Sequence, residues 1–371
     1  MIKLKYPKFW SKKSCLSAIL IPVSYIYMFL GYLRRKLTGQ IKLSQTVICV
    51  GNITVGGSGK TQVVVWLARE LTEKNISFVI VTKAYKSDLT GAKIVDEYDR
   101  PNDVGDESVI LRAFGHVIAA KKLKYSLALI EQINPQVVIL DDGMQNPLLY
   151  KDLQIVVFDS MTGVGNNLIF PAGPLRESLS SGLAKADLVF MIGDEVGSTN
   201  PYPEKAKDQN RHPEEAEGRR KDPERLNITG FLRLQEFTQN DGLGATLFHY
   251  GAIPTFQARI KFKEAYDKTL DYIAFAGIGN PDKFYSSLAK EKLKVKQHIS
   301  FEDHHNYSDN DLTKLINLAE QNHCRLITTE KDYVKIPDKY KDSVICAKVS
   351  LEFEKKEECI NLIYEKILQK N

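Results

Sequence analysis

By pattern, the chain divides into one long apolar run, two stretches in which short apolar runs alternate with amphipathic ones, and a polar gap between those stretches. The long run is residues 15–33, CLSAILIPVSYIYMFLGYL, nineteen positions without a charge. It predicts a helix with no polar face. At about 1.5 Å per residue such a helix just reaches across a hydrocarbon core of roughly 30 Å. From residue 44 the runs shorten. Residues 47–50, 77–81, 137–140, 153–158 and 188–192 have strand length, separated by helical patterns at 63–71, 108–114 and 124–133. The rhythm returns after residue 243, with strands at 272–276, 325–328 and 343–349 and helices at 281–288, 309–322 and 354–368. Short apolar strands alternating with helices predict parallel sheets with ligands at the strands' carboxyl ends. Between the two stretches, residues 194–242 contain PYPEKAKDQNRHPEEAEGRRKDPER, nearly empty of apolar side chains. That composition predicts a polar insertion, disordered or loosely helical and dispensable for chemistry. The expected organisation is an anchor over 1–43, a core over 44–193, the insertion over 194–242 and a smaller α/β lobe over 243–371.

Charge sharpens this division. The formal net charge is +5, but nine of the 51 Lys and Arg lie in residues 1–43, which hold no acid. Residues 44–371 therefore carry 42 basic against 46 acidic side chains, and the body offers no compositional case for nucleic-acid binding. The basic residues flank the apolar run on both sides: Lys12 and Lys13 before it, Arg34, Arg35 and Lys36 after it. Symmetric flanks give no orientation to a spanning helix, so spanning and lying in the plane of the cytoplasmic leaflet both stay open. Pro22 would kink such a helix near its middle. A cleaved signal peptide fits poorly, because nucleotide chemistry follows within about twenty residues. The five cysteines are scattered without a CxxC pair, which fits reduced thiols and neither a disulfide framework nor a zinc site.

The nucleotide chemistry is read from residues 45–66, QTVICVGNITVGGSGKTQVVVW. An apolar strand runs into a turn with Gly56, Gly57 and Gly59, then Lys60, Thr61 and a helical pattern. Strand, glycine-rich turn and helix start, in that order, form a phosphate-binding loop. Backbone N–H groups of Thr54, Val55, Gly56, Gly57, Ser58, Gly59, Lys60 and Thr61 would cradle a triphosphate. Lys60 would reach the β- and γ-phosphates, and the Thr61 hydroxyl would ligate Mg²⁺. The first glycine of the usual spacing is absent: position 54 is Thr54. ATP and Mg²⁺ are the cofactors this implies. Asp141 ends the strand at 137–140, where a metal-side aspartate belongs, and Asp142 doubles the charge there. Two adjacent carboxylates favour a cation, although Asp142 could instead serve a cap or turn. Asp103, Asp106 and Glu107 form a second acidic group before a helix, where acids often only cap. His304 and His305 follow Asp303. Adjacent histidines project differently, so at most one is expected to face the cleft, against a carboxylate base, with a solvated loop pair as the alternative.

Seven motifs carry a resemblance: GNITVGGSGKT, DVGDES, VVILDDGMQN, FPAGPLRE, FAGIGNPDKF, FEDHHNYS and TTEKDYVK, in this order. Together they resemble the tetraacyldisaccharide 4′-kinases, the lipid A 4′-kinases of the Gram-negative inner membrane, over nearly the whole chain apart from the insertion. The resemblance also accounts for Thr54, because the family's loop lacks the first glycine too. It implies a P-loop NTPase-like core, ATP as donor, and an acylated disaccharide 1-phosphate as acceptor, phosphorylated at its 4′-hydroxyl. It further implies Asp106 as catalytic base assisted by His304, with Glu107, Asp141 and Asp142 around Mg²⁺ and substrate, on the cytoplasmic face of the inner membrane. A monomer is expected. Three departures stand out. Thr82-Lys83-Ala84-Tyr85-Lys86 replaces S-R-G-Y-G, Asn146 replaces a histidine, and Ser108 replaces a proline. The runner-up is a membrane-associated ATPase switch of the GGxGKT type, which would send the γ-phosphate to water instead of to lipid.

Overall fold

The computed structural model describes residues 7–193 and 253–370; the polar stretch 194–242 lies outside the described residues. Thirteen strands among them form two sheets. The larger contains β1 (Thr46–Gly51), β2 (Phe78–Lys83), β3 (Ala92–Ile94), β4 (His116–Ala120), β5 (Val137–Asp141), β6 (Leu153–Asp159), β7 (Leu188–Ile192), β8 (Thr255–Phe262) and β13 (Val349–Phe353). Their order is β13-β8-β7-β6-β1-β5-β2-β4-β3, parallel except for the two edge pairs. The smaller sheet orders β10 (Lys294–Ser300), β9 (Asp271–Ala276), β11 (Arg325–Thr329) and β12 (Val344–Ala347), all parallel.

Period-two alternation explains why the central strands read as continuous apolar runs. In β5, Val137 and Ile139 enter the core on one face of the large sheet, and Val138 and Leu140 enter the core on the other. β1 splits the same way, Ile48 and Val50 against Val47 and Cys49. Both faces are covered, so both sets must be apolar. The phosphate-loop helix α2 (Lys60–Glu73) covers the first face with Val63, Val64, Leu67 and Leu71, joined there by the C-terminal helix Lys356–Leu368 through Cys359, Ile360 and Ile363. The small sheet repeats the plan, with Ile273 and Phe275 on one face of β9 and Tyr272 and Ala274 on the other.

The lobes do not follow the expected boundary at 243. β8, β13 and the C-terminal helix belong to the large sheet, so the second lobe is built from residues 271–347 and the chain returns afterwards. The single strand expected at 343–349 is two strands in different sheets. Lys348 separates them, its N–H donating to the Cys346 carbonyl, and the chain changes sheets within one residue. Four strands escape the pattern. Three of them, β3, β8 and β10, have partly exposed or mixed positions that a buried apolar run does not reveal, and β4 opens on the exposed His116 and ends on two alanines.

The apolar run forms α1 (Cys15–Leu37), continuous through Pro22, and Ser14 and Ser17 close a capping box at its start. Its polar face is two serines wide. Ser17 and Ser24 are buried, and Ser24 Oγ donates to the Ile169 carbonyl at 2.7 Å. Tyr27 packs edge-on to Phe170, ring centres 5.5 Å apart. The remaining surface is bare: Ile19, Tyr25, Ile26, Phe29 and Leu30 are all more than half exposed. An exposed stripe of this size has no place in water and marks a contact surface.

Candidate active site

Every motif quoted above reaches one cleft at the carboxyl ends of the strands. β1 runs into the phosphate loop, which a second loop braces from in front. Val55 N–H donates to the Pro174 carbonyl and Arg176 N–H to the Ile53 carbonyl, each at 2.7 Å, with Thr54 bridging Leu175 between them. Thr54 therefore sits in strand-like pairing, outside the left-handed region, and nothing there requires glycine. Gly56 and Gly59 do adopt left-handed φ values, +123° and +88°, and a Cβ on Gly59 would stand 3.2 Å from Ile192 Cγ2. Lys60 opens α2, its Nζ 3.8 Å from Asp142 Oδ1, with Thr61 next in the same turn. Burial pulls the Lys60 ammonium below its ordinary range, while the Asp142 charge acts the other way. Among the described residues the buried Ser58 Oγ and Asn52 Oδ1 find no hydrogen-bond partner, which leaves a donor and an acceptor at the loop for a ligand.

Asp141 and Asp142 end β5 next to that loop, and Val50 is paired with Asp141 in register. Asp142 caps no helix. It takes a left-handed backbone, φ 58°, and accepts from Arg176 Nη1 at 2.8 and 3.0 Å. Burial pushes its carboxyl up, but Lys60 and Arg176 outweigh that and hold it below the usual carboxylate range. Asp141 is different. Burial pushes it up to about 7, with Lys60 acting against the shift and Asp142 and Glu107 adding to it. A carboxyl in that state lacks a countercharge, and a divalent cation would supply one. Among the described residues no three His, Cys, Asp or Glu form a metal cage. Mg²⁺ binds through one or two carboxylates plus substrate phosphates, and Thr61 with Asp141 is a donor set of that kind. The residues present fit the ion.

The second acidic group separates by role. Asp103 Oδ2 accepts from the Arg100 N–H at 2.9 Å and caps the short helix Pro101–Val104. Asp106 begins the next helix, Asp106–Leu111, and turns the other way, its Oδ2 lying 2.9 Å from His304 Nδ1 of the second lobe. Burial raises the Asp106 carboxyl, yet the His304 hydrogen bond and the Lys335 charge leave it below its ordinary value. Glu107 Oε1 meets Lys331 Nζ at 2.8 Å, also across the lobes. His304 is held by its own backbone, its N–H donating to the Gly277 carbonyl at 3.0 Å with φ at 62°, rare for a residue other than glycine. His305 points elsewhere, stacked on Phe301 and 3.2 Å from Asp311. Tyr85 tilts against His304, 5.4 Å between ring centres.

Of the departures, Lys86 adopts φ 53° where the resembled pattern has glycine, and its Nζ donates to the Asp303 carbonyl at 3.2 Å. Arg176 and Lys331 stand in the site although their charges had been given no role from sequence. The available signal was weak: one arginine in FPAGPLRE and two lysines in TTEKDYVK, with no spacing that singles them out.

A phosphate loop on the central strand of a parallel sheet, with carboxylates on the neighbouring strand end and a carboxylate–imidazole pair over it, defines a P-loop phosphotransferase. The chain matches the family model described as tetraacyldisaccharide-1-P 4′-kinase over residues 16–368, and it belongs to that family. It is similar to the tetraacyldisaccharide 4′-kinase of Rickettsia bellii, 41% identical over 371 residues that cover all of both chains. The Rickettsia canadensis protein of the same name is 42% identical, covering all of this chain and 98% of that one. Its fold is like the crystal structure of the "apo" form of LpxK from Aquifex aeolicus in complex with ATP. That likeness has a TM-score of 0.68 at 26% identity and covers 95% of this chain and 99% of that one. The chain is thus an ATP-dependent kinase acting on tetraacyldisaccharide 1-phosphate at the cytoplasmic face of the inner membrane, with α1 as its membrane-associated element.

Proposed function

We propose that transfer of the γ-phosphoryl group to the 4′-hydroxyl runs through Asp106 as general base, with His304 orienting it. The 2.9 Å approach of His304 Nδ1 to Asp106 Oδ2 is the observation that carries this reading. The loose transition state of phosphoryl transfer leaves little covalent chemistry to the protein, so positioning and charge do most of the work. The backbone of residues 56–61 binds the triphosphate, with Thr54 and Val55 tied to the bracing loop and leading into it, and Lys60 neutralises charge on its β- and γ-phosphates. Thr61 and Asp141 would hold Mg²⁺, with Asp142 and Glu107 completing the acidic rim. The ion, when bound, would supply neutralisation of the charge on the transferring phosphoryl group. Asp106 accepts the hydroxyl proton as the P–O bond forms, and the buried site keeps water out until the lipid arrives.

The arm lies in the plane of the leaflet. Ser24 and Tyr27 hold its middle against loop 166–172, which leaves residues 28–37 beyond that contact, about 15 Å of helix against a core of roughly 30 Å. Its bare face would enter the leaflet beside the acyl chains of the acceptor.

The test follows the γ-phosphate from labelled ATP. Asp106→Asn should lower lipid phosphorylation by roughly 10²–10⁴-fold with ATP affinity retained. An unimpaired variant would move the base to Asp141 or Asp142. For the arm, Ile26→Asp with Phe29→Asp should release much of the protein from vesicles that high salt only partly strips. Complete release of the parent by salt alone would show that charge, not burial, holds it.

A further inference from the structure

Lys335, the last residue of TTEKDYVK, ends where lysines are seldom found. Its side chain is 2% exposed, and its Nζ lies 2.9 Å from Asp332 Oδ1 and 3.8 Å from Asp106 Oδ2, above the Tyr307 ring at 5.6 Å. A buried ammonium is costly unless it is paired. Its partner Asp332 is fully buried, and its own lobe fixes it: Oδ2 accepts from the Gly277 N–H at 3.0 Å and from Thr329 Oγ1 at 2.7 Å. Lys335 is therefore held in the second lobe from behind. Among the described residues its Nζ finds no acceptor at hydrogen-bond geometry, so Asp332 does not use up its N–H groups. Across the lobe boundary it faces Asp106 Oδ2, the same oxygen that meets His304 Nδ1. Lys331 stands elsewhere, its Nζ 2.8 Å from Glu107 Oε1 and 3.4 Å from His304 Nε2, the imidazole nitrogen that Asp106 does not meet.

We propose that Lys335 is a positioning residue for the base: an ammonium fixed by Asp332 in the second lobe that holds the Asp106 carboxylate in line with His304 when the lobes are closed. One cation set between two carboxylates of different lobes links closure to the alignment of the base. Lys335 acts through Asp106, and the inference rests on reading Asp106 as the base.

A double-mutant cycle in the full-length enzyme tests it, with kcat and the KM for ATP measured on the tetraacyldisaccharide 1-phosphate acceptor in detergent micelles. Lys335→Met should lower kcat by roughly 10–100-fold, the scale of a misplaced reacting group, and leave the KM for ATP within about twofold. In an Asp106→Asn background the same change should cost no more than about twofold. Because Lys335→Met leaves Asp332 buried and unpaired, Asp332→Asn/Lys335→Met is the companion variant. It removes both charges, keeps an acceptor for Gly277 and Thr329, and should show the same loss of kcat. Parent kcat in that companion overturns the proposal, as does an equal fold-loss in both backgrounds, which would mark an ordinary packing role. An impaired Asp106→Asn beside an unimpaired lysine variant removes the positioning role alone. An unimpaired Asp106→Asn removes the base, and this inference with it.

Discussion

The two lobes build one cleft by opposite means. The first offers a phosphate loop of backbone, gathered within residues 51–61 and set by two left-handed glycines and a helix start, with carboxylates at its strand and helix ends. The second contributes side chains from separate loops: His304 after β10, Lys331 and Lys335 after β11. Nucleotide binding is thus local in sequence, whereas the reacting pair joins residues 198 apart. A local site survives as long as its turn forms. The long-range pair exists only while the small sheet sits against the large one, so the chemistry depends on closure in a way that binding ATP does not.

The largest expected effect tests the first lobe. Lys60→Ala should cost at least roughly 3 kcal/mol in transition-state stabilisation, measured as kcat/KM for the lipid, because it removes the cation that follows the γ-phosphate. A parent-like rate would break the assignment of phosphate handling to this loop. A glycine pair sharpens the contrast between lobes. Gly59→Val should cost about 1–3 kcal/mol in ATP affinity or stability, from its left-handed φ and the 3.2 Å approach to Ile192. Gly279→Ala in the second lobe, where a Cβ meets only Asp303 at 3.5 Å, should stay within about 0.5 kcal/mol in chemical denaturation. Equal costs would mean that the first lobe does not depend specially on its backbone.

A smaller effect concerns pH. The Asp141 carboxyl is raised to about 7 in the folded protein, against an ordinary value of 3.8. As pH climbs through that window the unfolded chain releases this proton first, so the contribution of Asp141 to stability declines and then levels above about 7. Without nucleotide or Mg²⁺, the parent should lose on the order of 1 kcal/mol relative to Asp141→Asn between pH 5 and pH 7.5. Urea denaturation of both proteins checks this. A difference that stays constant or reverses would contradict the buried, unpaired state of Asp141.

How much was legible follows the same division. Strand, glycine turn and Lys60 were readable because phosphate binding is written in contiguous residues, and β1, β5, β6 and β7 were readable because both their faces are buried. Spacing alone left Asp103 and Asp106 equivalent, since both are acids at short helix starts. Only the second lobe distinguishes them, one capping Arg100 and the other meeting His304. His304 and His305 were equally ambiguous, and a left-handed backbone at His304 sends the two rings apart. The return of the chain to the large sheet at β13 was hidden for another reason. A strand that changes sheets at Lys348 leaves no break in the apolar pattern.

The claim that the pair acts as one unit is tested most directly by kcat for Asp106→Asn, His304→Ala and the double variant, all on the lipid acceptor with saturating ATP. On the proposed roles, in which the histidine orients the base and the base takes the proton, the double variant should be scarcely slower than Asp106→Asn, with His304→Ala alone costing less. Losses that multiply in full would show two independent contributions and no unit assembled across the lobes.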